Sequence, residues 1–188
     1  CRSPSGKMEA VSDGRAWRKT WLGPGAEAID PMSKVLVSGR GGSGKSTMVS
    51  LLAWEAGKDG RALVVDADES NLGLGSMLGI SPPEKSIMDH LGGKPALREK
   101  LSSFLKGEGS EAIRFFDGEI TIDNLPSECV AKKANVSLVR IGKIEHAMEG
   151  CACPMGVLAR GFLGQLRLSG PEWAFVDTEA GIEHFGRG

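Results

Sequence analysis

The stretch at residues 39–47 reads GRGGSGKST and directly follows a short apolar run at residues 35–37 (VLV). After it, apolar residues recur at helical spacing as far as Trp54. A second apolar run at residues 62–65 (ALVV) then ends at Asp66. The succession of strand, glycine-rich loop, helix and strand within roughly 30 residues predicts a βαβ unit with parallel strands.

The glycine-rich stretch satisfies two known patterns. One is the G-x-G-x-x-G of dinucleotide-binding loops, with Asp66 at a suitable distance beyond it, and the other is the G-x-x-x-x-G-K-[ST] of phosphate-binding loops. Lys45 and Ser46 favour the second pattern, because they supply a cation for the β- and γ-phosphates and a hydroxyl for Mg²⁺. The predicted nucleotide-binding residues are Gly41, Gly42, Ser43, Gly44, Lys45, Ser46 and Thr47.

Carboxylates stand at the ends of two predicted strands. Asp177 follows the apolar run at residues 173–176 (WAFV), which favours a magnesium site formed by Ser46 and Asp177. Asp68 lies just beyond Asp66 in a loop, where it is a candidate for orienting the attacking water. Each Asp also has a simpler interpretation as a turn or helix-capping residue.

The rest of the chain continues the alternation of strands and helices. The pattern predicts helices at residues 96–106 and 157–168, and strands at residues 136–141 and 173–176. An Asp-Gly turn between apolar runs predicts a hairpin at residues 115–122. These elements indicate an α/β fold, a mostly parallel sheet with helices on both faces.

Composition excludes several classes of protein. The 188 residues carry a net charge of -1, so we expect neither nucleic acid nor an anionic membrane as a partner. No apolar stretch has the length of a membrane span or the form of a secretory signal, which predicts a cytoplasmic protein. Residues 1–31 show no periodicity and are interpreted as a disordered leader before a domain at residues 32–188.

These motifs resemble a known superfamily. Residues 39–47 are similar to the deviant Walker A loop of the P-loop ATPases that include division-site, chromosome-partition and nitrogenase iron proteins, with Arg40 in place of their additional lysine. Residues 66–72, 150–154 and 177–188 further resemble the accessory, nickel-inserting ATPases of carbon monoxide dehydrogenase. The resemblance covers residues 32–188 and implies ATP hydrolysis with Mg²⁺, in which Lys45, Asp68 and Arg40 are catalytic and Arg40 acts across an ATP-dependent homodimer.

The Cys-x-Cys motif of Cys151 and Cys153 has a physical interpretation of its own. Two thiolates supply half of a tetrahedral or square-planar site for a soft metal, so two copies meeting at a two-fold axis would complete it. Two ordinary thiols are the alternative, and His146 is an alternative ligand. Together with the resemblance, the motif favours Ni²⁺ or Zn²⁺ between subunits, with carbon monoxide dehydrogenase/acetyl-CoA synthase as the client enzyme.

Two other functions remain open at this stage: a positioning or partitioning ATPase of the same superfamily, and a non-enzymatic zinc-binding dimer. The roles of Glu179, Glu183 and His184 also remain open between phosphate sensing and a solvated helix start. Relatives of the resembled family continue with further strands. We therefore expect a C-terminally truncated domain, in which the strand at residues 173–176 is without the neighbours that relatives provide, with weak stability and poor selectivity for adenine.

Overall fold

The computed structural model describes residues 33–68, 73–105, 115–142 and 153–178. The proposed leader at residues 1–31 lies outside them. The strands are β1 (Lys34–Val37), β2 (Arg61–Ala67), β3 (Val130–Lys133), β4 (Val136–Arg140) and β5 (Glu172–Thr178). The helices are α1 (Lys45–Asp59), α2 (Leu74–Leu78), α3 (Ile87–His90), α4 (Gly93–Leu105) and α5 (Cys153–Gln165), with a 3₁₀ turn at Ser127–Cys129.

In the described part of the chain, the strands form one sheet in the order β1-β5-β2-β4-β3. All neighbouring strands are parallel except β3, which runs antiparallel to β4. Helices cover both faces of this sheet. Helices α1 and α2 pack on one face, around Val64 and Leu138. Helices α3, α4 and α5 pack on the other face, around Val65 and Phe162. The predicted α/β class with a mostly parallel sheet is therefore confirmed.

Helix positions agree with the predicted ones to within a few residues. The predicted helices at residues 96–106 and 157–168 are α4 and α5, each displaced toward the N-terminus. Lys34 on β1 donates from Nζ to the carbonyl oxygens of Leu163 and Leu166, both at 2.7 Å, and so caps the C-terminal end of α5. None of the helices that the structure describes is both long and apolar enough to cross a membrane.

The position of β5 corrects one expectation. The last predicted strand was expected to be without the neighbours that relatives provide, whereas β5 lies between β1 and β2 and pairs with both. Its side chains are almost all buried, as is usual for a strand in the middle of a covered parallel sheet. Chain order and spatial order differ here because crossover connections let a later strand insert between two earlier ones.

The predicted hairpin at residues 115–122 is wrong. Ile120 instead makes a parallel bridge to Leu166, just beyond α5. The Gln165 side chain donates from Nε2 to the carbonyl oxygens of Phe116 and Gly118 at 2.9 and 2.8 Å. The apolar side chains of this segment thus belong to the same core cluster as Phe162 and Leu166 at the end of α5. Cys129 in the 3₁₀ turn is fully buried, and this burial raises the pKa of its thiol to about 11.

An ion-pair network lies at the end of the strands opposite to the glycine-rich loop, and it leads to a prediction about stability. Glu172 at the start of β5 has only 5% of its side chain exposed and accepts hydrogen bonds from Arg61 and from the backbone N–H of Ser169. We expect Glu172→Gln to lower the free energy of unfolding by about 1 to 3 kcal/mol, because it weakens the charge-assisted hydrogen bonds that the buried Glu172 carboxylate accepts from Arg61 and Ser169.

Urea unfolding would measure this loss. Asp123→Asn is the matched control, since Asp123 binds the same Arg61 but is 68% exposed, and it should change the free energy of unfolding far less. Equal losses in the two variants would contradict the prediction.

Candidate nucleotide-binding site

The loop between β1 and α1 has the backbone of a phosphate cradle. Gly42 and Gly44 have φ angles of +75° and +84°, and a Cβ built at either residue would meet nothing within 4 Å. Glycine is therefore required here by backbone conformation rather than by lack of space. Residues 41–44 are exposed, and the loop leads straight into the N-terminal end of α1, where N–H groups and the helix dipole favour an anion.

Lys45 is folded back over this loop. It is only 9% exposed, and its Nζ lies 3.3 Å from the carbonyl oxygen of Arg40. A carbonyl is a weaker partner for an ammonium group than a phosphate, whose charged oxygens form stronger, charge-assisted hydrogen bonds. Lys45 is thus already held at the loop in a position from which it can bind an anion.

The structure brings Ser46 and Asp177 together across 131 residues of sequence. The Ser46 hydroxyl donates to Oδ2 of Asp177 at 2.6 Å, a length typical of a charge-assisted O–H···O⁻ bond. Asp177 is fully buried, because β5 lies between β1 and β2 at this point. A hydroxyl and a carboxylate are hard oxygen donors of the kind that Mg²⁺ prefers, so this pair fits that ion.

Asp66 and Asp68 lie beside this pair. Asp66 on β2 is the register partner of Asp177, and the two residues are 3% and 0% exposed. The backbone N–H of Asp68 donates to Oδ1 of Asp66 at 3.3 Å, so Asp66 holds the turn that carries Asp68. Asp68 is itself 7% exposed. Three acidic residues therefore lie at the end of the sheet that faces the glycine-rich loop.

Of the remaining predicted site residues, the structure describes only some. Arg40 and Thr47 are exposed, Arg40 on the loop and Thr47 on the first turn of α1. Cys153 begins α5, but its side chain, Cys151 and His146 lie outside the described residues, as do Glu179, Glu183 and His184. Within the part of the chain that the structure describes, no three His, Cys, Asp or Glu side chains are grouped as a metal site.

Sequence reasoning missed one charged residue at this end of the sheet. Arg140 ends β4 and is the register partner of Asp66. The available signal was an arginine near the end of the otherwise buried strand at residues 136–141, whose other side chains are all buried. Arg140 itself is partly exposed, and its Nη2 donates to the carbonyl oxygen of Pro83 at 2.9 Å.

Comparison with known proteins finds relatives of this chain that are named as ATP-binding proteins. No protein-family model matches it. It is 50% identical over 156 residues to an uncharacterized ATP-binding protein of Methanocaldococcus jannaschii, covering 82% of this chain and 61% of that protein. It is 32% identical over 156 residues to the carbon monoxide dehydrogenase accessory protein CooC of Rhodospirillum rubrum, covering 82% of this chain and 57% of that protein.

A second uncharacterized ATP-binding protein of Methanocaldococcus jannaschii is 33% identical over 161 residues, which are 82% of this chain and 57% of that protein. The chain thus spans about three fifths of the length of the curated relatives it matches. With the strand order and the glycine-rich loop, these relatives identify the fold as an α/β P-loop NTPase fold.

Proposed function

From a P-loop fold whose relatives bind ATP, we propose that this chain is an ATPase that acts as an accessory protein in the maturation of carbon monoxide dehydrogenase/acetyl-CoA synthase, to which it delivers nickel. The observation that carries the ATPase part is the 2.6 Å hydrogen bond between Ser46 and Asp177 beside the loop. The 32% identity to the CooC accessory protein supports the maturation role.

Each residue of the site has a separate role in hydrolysis. Backbone N–H groups of residues 41–44 and the Lys45 ammonium bind the phosphates, while Ser46 and Asp177 hold Mg²⁺. When bound there, Mg²⁺ would neutralise negative charge on the phosphates. Asp68 accepts a hydrogen bond from the water that displaces ADP from the γ-phosphate. The site thus acts by positioning and by charge, and it needs no covalent intermediate.

Dimerisation connects ATP to metal delivery in this proposal. Arg40 is exposed on the loop, so its guanidinium is free of packing that would keep it from the nucleotide of a second subunit in the ATP-bound dimer. Nickel is the cargo, held by Cys151 and Cys153 of both subunits, and hydrolysis loosens this site. Zinc is the competing ion for the same thiolates. The cytoplasm, where thiols stay reduced, suits this chemistry.

Cys151→Ser gives the sharpest test of the metal part. We expect the wild-type protein to bind about one nickel per two chains and the variant to bind none, because a hydroxyl does not replace a thiolate for a soft metal. Native mass spectrometry of protein loaded with nickel, with and without ATP, would measure the stoichiometry. Cys129→Ala is the control, since that buried, protonated thiol should contribute nothing.

Measuring ATP turnover on the same samples separates the alternatives. ATP turnover, together with bound metal that is lost in the Cys151→Ser variant, supports the proposal. Turnover without bound metal would point instead to a positioning or partitioning ATPase. Metal bound without turnover would point to a non-enzymatic zinc-binding dimer.

A further inference from the structure

Two consecutive residues of β5 hold the two ends of the glycine-rich loop. At the helix end of the loop, the Ser46 hydroxyl donates to Oδ2 of Asp177 at 2.6 Å. At the strand end, the Thr178 hydroxyl donates from Oγ1 to the carbonyl oxygen of Val37 at 2.9 Å, across 141 residues of sequence. Val37 is the last residue of β1, directly before the loop. The loop is therefore attached to β5 at both ends.

The strand end of the loop starts from a weakly supported element. β1 has four residues, is the outermost strand of the described sheet and pairs there with β5. Its side chains are exposed or half-buried, and Ser38, which follows it, is exposed. Short segments with few buried contacts open more readily than central strands. The Thr178 hydroxyl thus adds a fixed point where β1 ends and the loop begins.

With this bond, β1 is fastened to β5 at both of its ends. The backbone N–H of Ala174 donates to the carbonyl oxygen of Ser33 at 2.7 Å, just before β1 begins. The bond from Thr178 to Val37 closes the other end. Because a side chain supplies this second bond, it can be removed by substitution while the backbone groups of both strands stay in place.

We propose that Thr178 is a positioning residue of the nucleotide site, whose hydroxyl keeps the start of the glycine-rich loop in the conformation that binds phosphate. This inference rests on the proposed ATPase function. Neither Val37 nor Thr178 is among the residues assigned to the nucleotide or to Mg²⁺, so their bond does not compete with ligand binding. Its contribution is preorganisation, because a loop that samples other conformations binds ATP only through the fraction that is correctly folded.

Steady-state kinetics of the full chain test this role. Thr178→Val removes the hydroxyl and keeps the branched shape that favours a strand. We expect it to raise KM for ATP about 3- to 10-fold, the range that loss of one uncharged hydrogen bond allows, and to change kcat less than twofold. KM rises alone because bound ATP restores the loop before hydrolysis. Thr178→Ser should return KM to within about twofold of wild type, since it keeps the hydroxyl.

Thr121→Val is the matched control. The Thr121 hydroxyl accepts a hydrogen bond from the backbone N–H of Asn124 at 3.3 Å. This turn includes Asp123, which pairs with Arg61 at the end of the strands opposite to the glycine-rich loop. The control therefore also loses a threonine hydroxyl bound to the backbone, but KM for ATP should stay unchanged. A loss of folded protein would lower kcat at constant KM, which is the opposite of the pattern expected for Thr178→Val.

Hydrogen exchange without nucleotide gives a readout that does not depend on turnover. In Thr178→Val, amide exchange should rise in a peptide covering residues 36–44 and stay unchanged in a peptide covering residues 50–59 of α1. Unchanged exchange at residues 36–44, an unchanged KM, or a raised KM that Thr178→Ser fails to restore would overturn the inference. If the wild-type protein neither binds nor hydrolyses ATP, the proposed function fails, and the exchange pattern alone still decides whether Thr178 holds the loop.

Discussion

Lys45→Ala is expected to weaken ATP binding about 10- to 100-fold and to lower kcat by a further factor of about 100 or more. The binding loss corresponds to the roughly 1.5 to 3 kcal/mol of a hydrogen bond to a charged group. The additional loss in rate arises because charge accumulates on the phosphate oxygens in the transition state, where a buried cation counts most. Lys45 is 9% exposed at the glycine-rich loop, so water screens its charge poorly.

Titration with a fluorescent ATP analogue and a phosphate-release assay measure the two effects separately. Lys58→Ala is the matched control, because Lys58 lies on the same helix but is exposed and pairs with Glu55. A Lys45→Ala protein with wild-type turnover would show that the loop is not the phosphate site.

Asp177→Asn is expected to lower turnover about 100-fold and to raise the Mg²⁺ concentration needed for half-maximal activity. The substitution keeps the shape of the side chain and an oxygen that can accept the hydrogen bond from Ser46, but it removes the negative charge. Mg²⁺ binds an amide oxygen more weakly than a carboxylate, and here the carboxylate is fully buried, where its charge is least screened.

A magnesium titration of ATPase activity tests this expectation, and binding of ATP in the absence of Mg²⁺ should be unaffected. Asp59→Asn serves as the control, at an exposed position at the end of α1. Wild-type magnesium dependence in Asp177→Asn would remove this residue from the metal site, whatever the effect on rate.

Local patterns accounted for the elements around the nucleotide site. The run at residues 35–37, the glycine-rich loop and the run at residues 62–65 each carry strong signals, since apolar strands and glycine at positive φ depend on short-range physics. Strand β3 was missed because its turn to β4 uses Ala134, at a φ of +50°, in place of glycine or asparagine. The hairpin predicted at residues 115–122 does not form, because packing against a helix distant in sequence outweighs the local preference of the Asp-Gly turn.

By itself the sequence determined the phosphate loop, the alternation of helices and strands, and the chemical types gathered for ATP: a lysine, a hydroxyl and carboxylates. Only the tertiary structure decided that β5 lies between β1 and β2, which sets Asp177 against Ser46 and Asp66 beside Asp177. The physical reason is the range of the interactions. Backbone preference and periodicity act within a few residues, whereas strand order follows from burying apolar faces contributed by the whole chain.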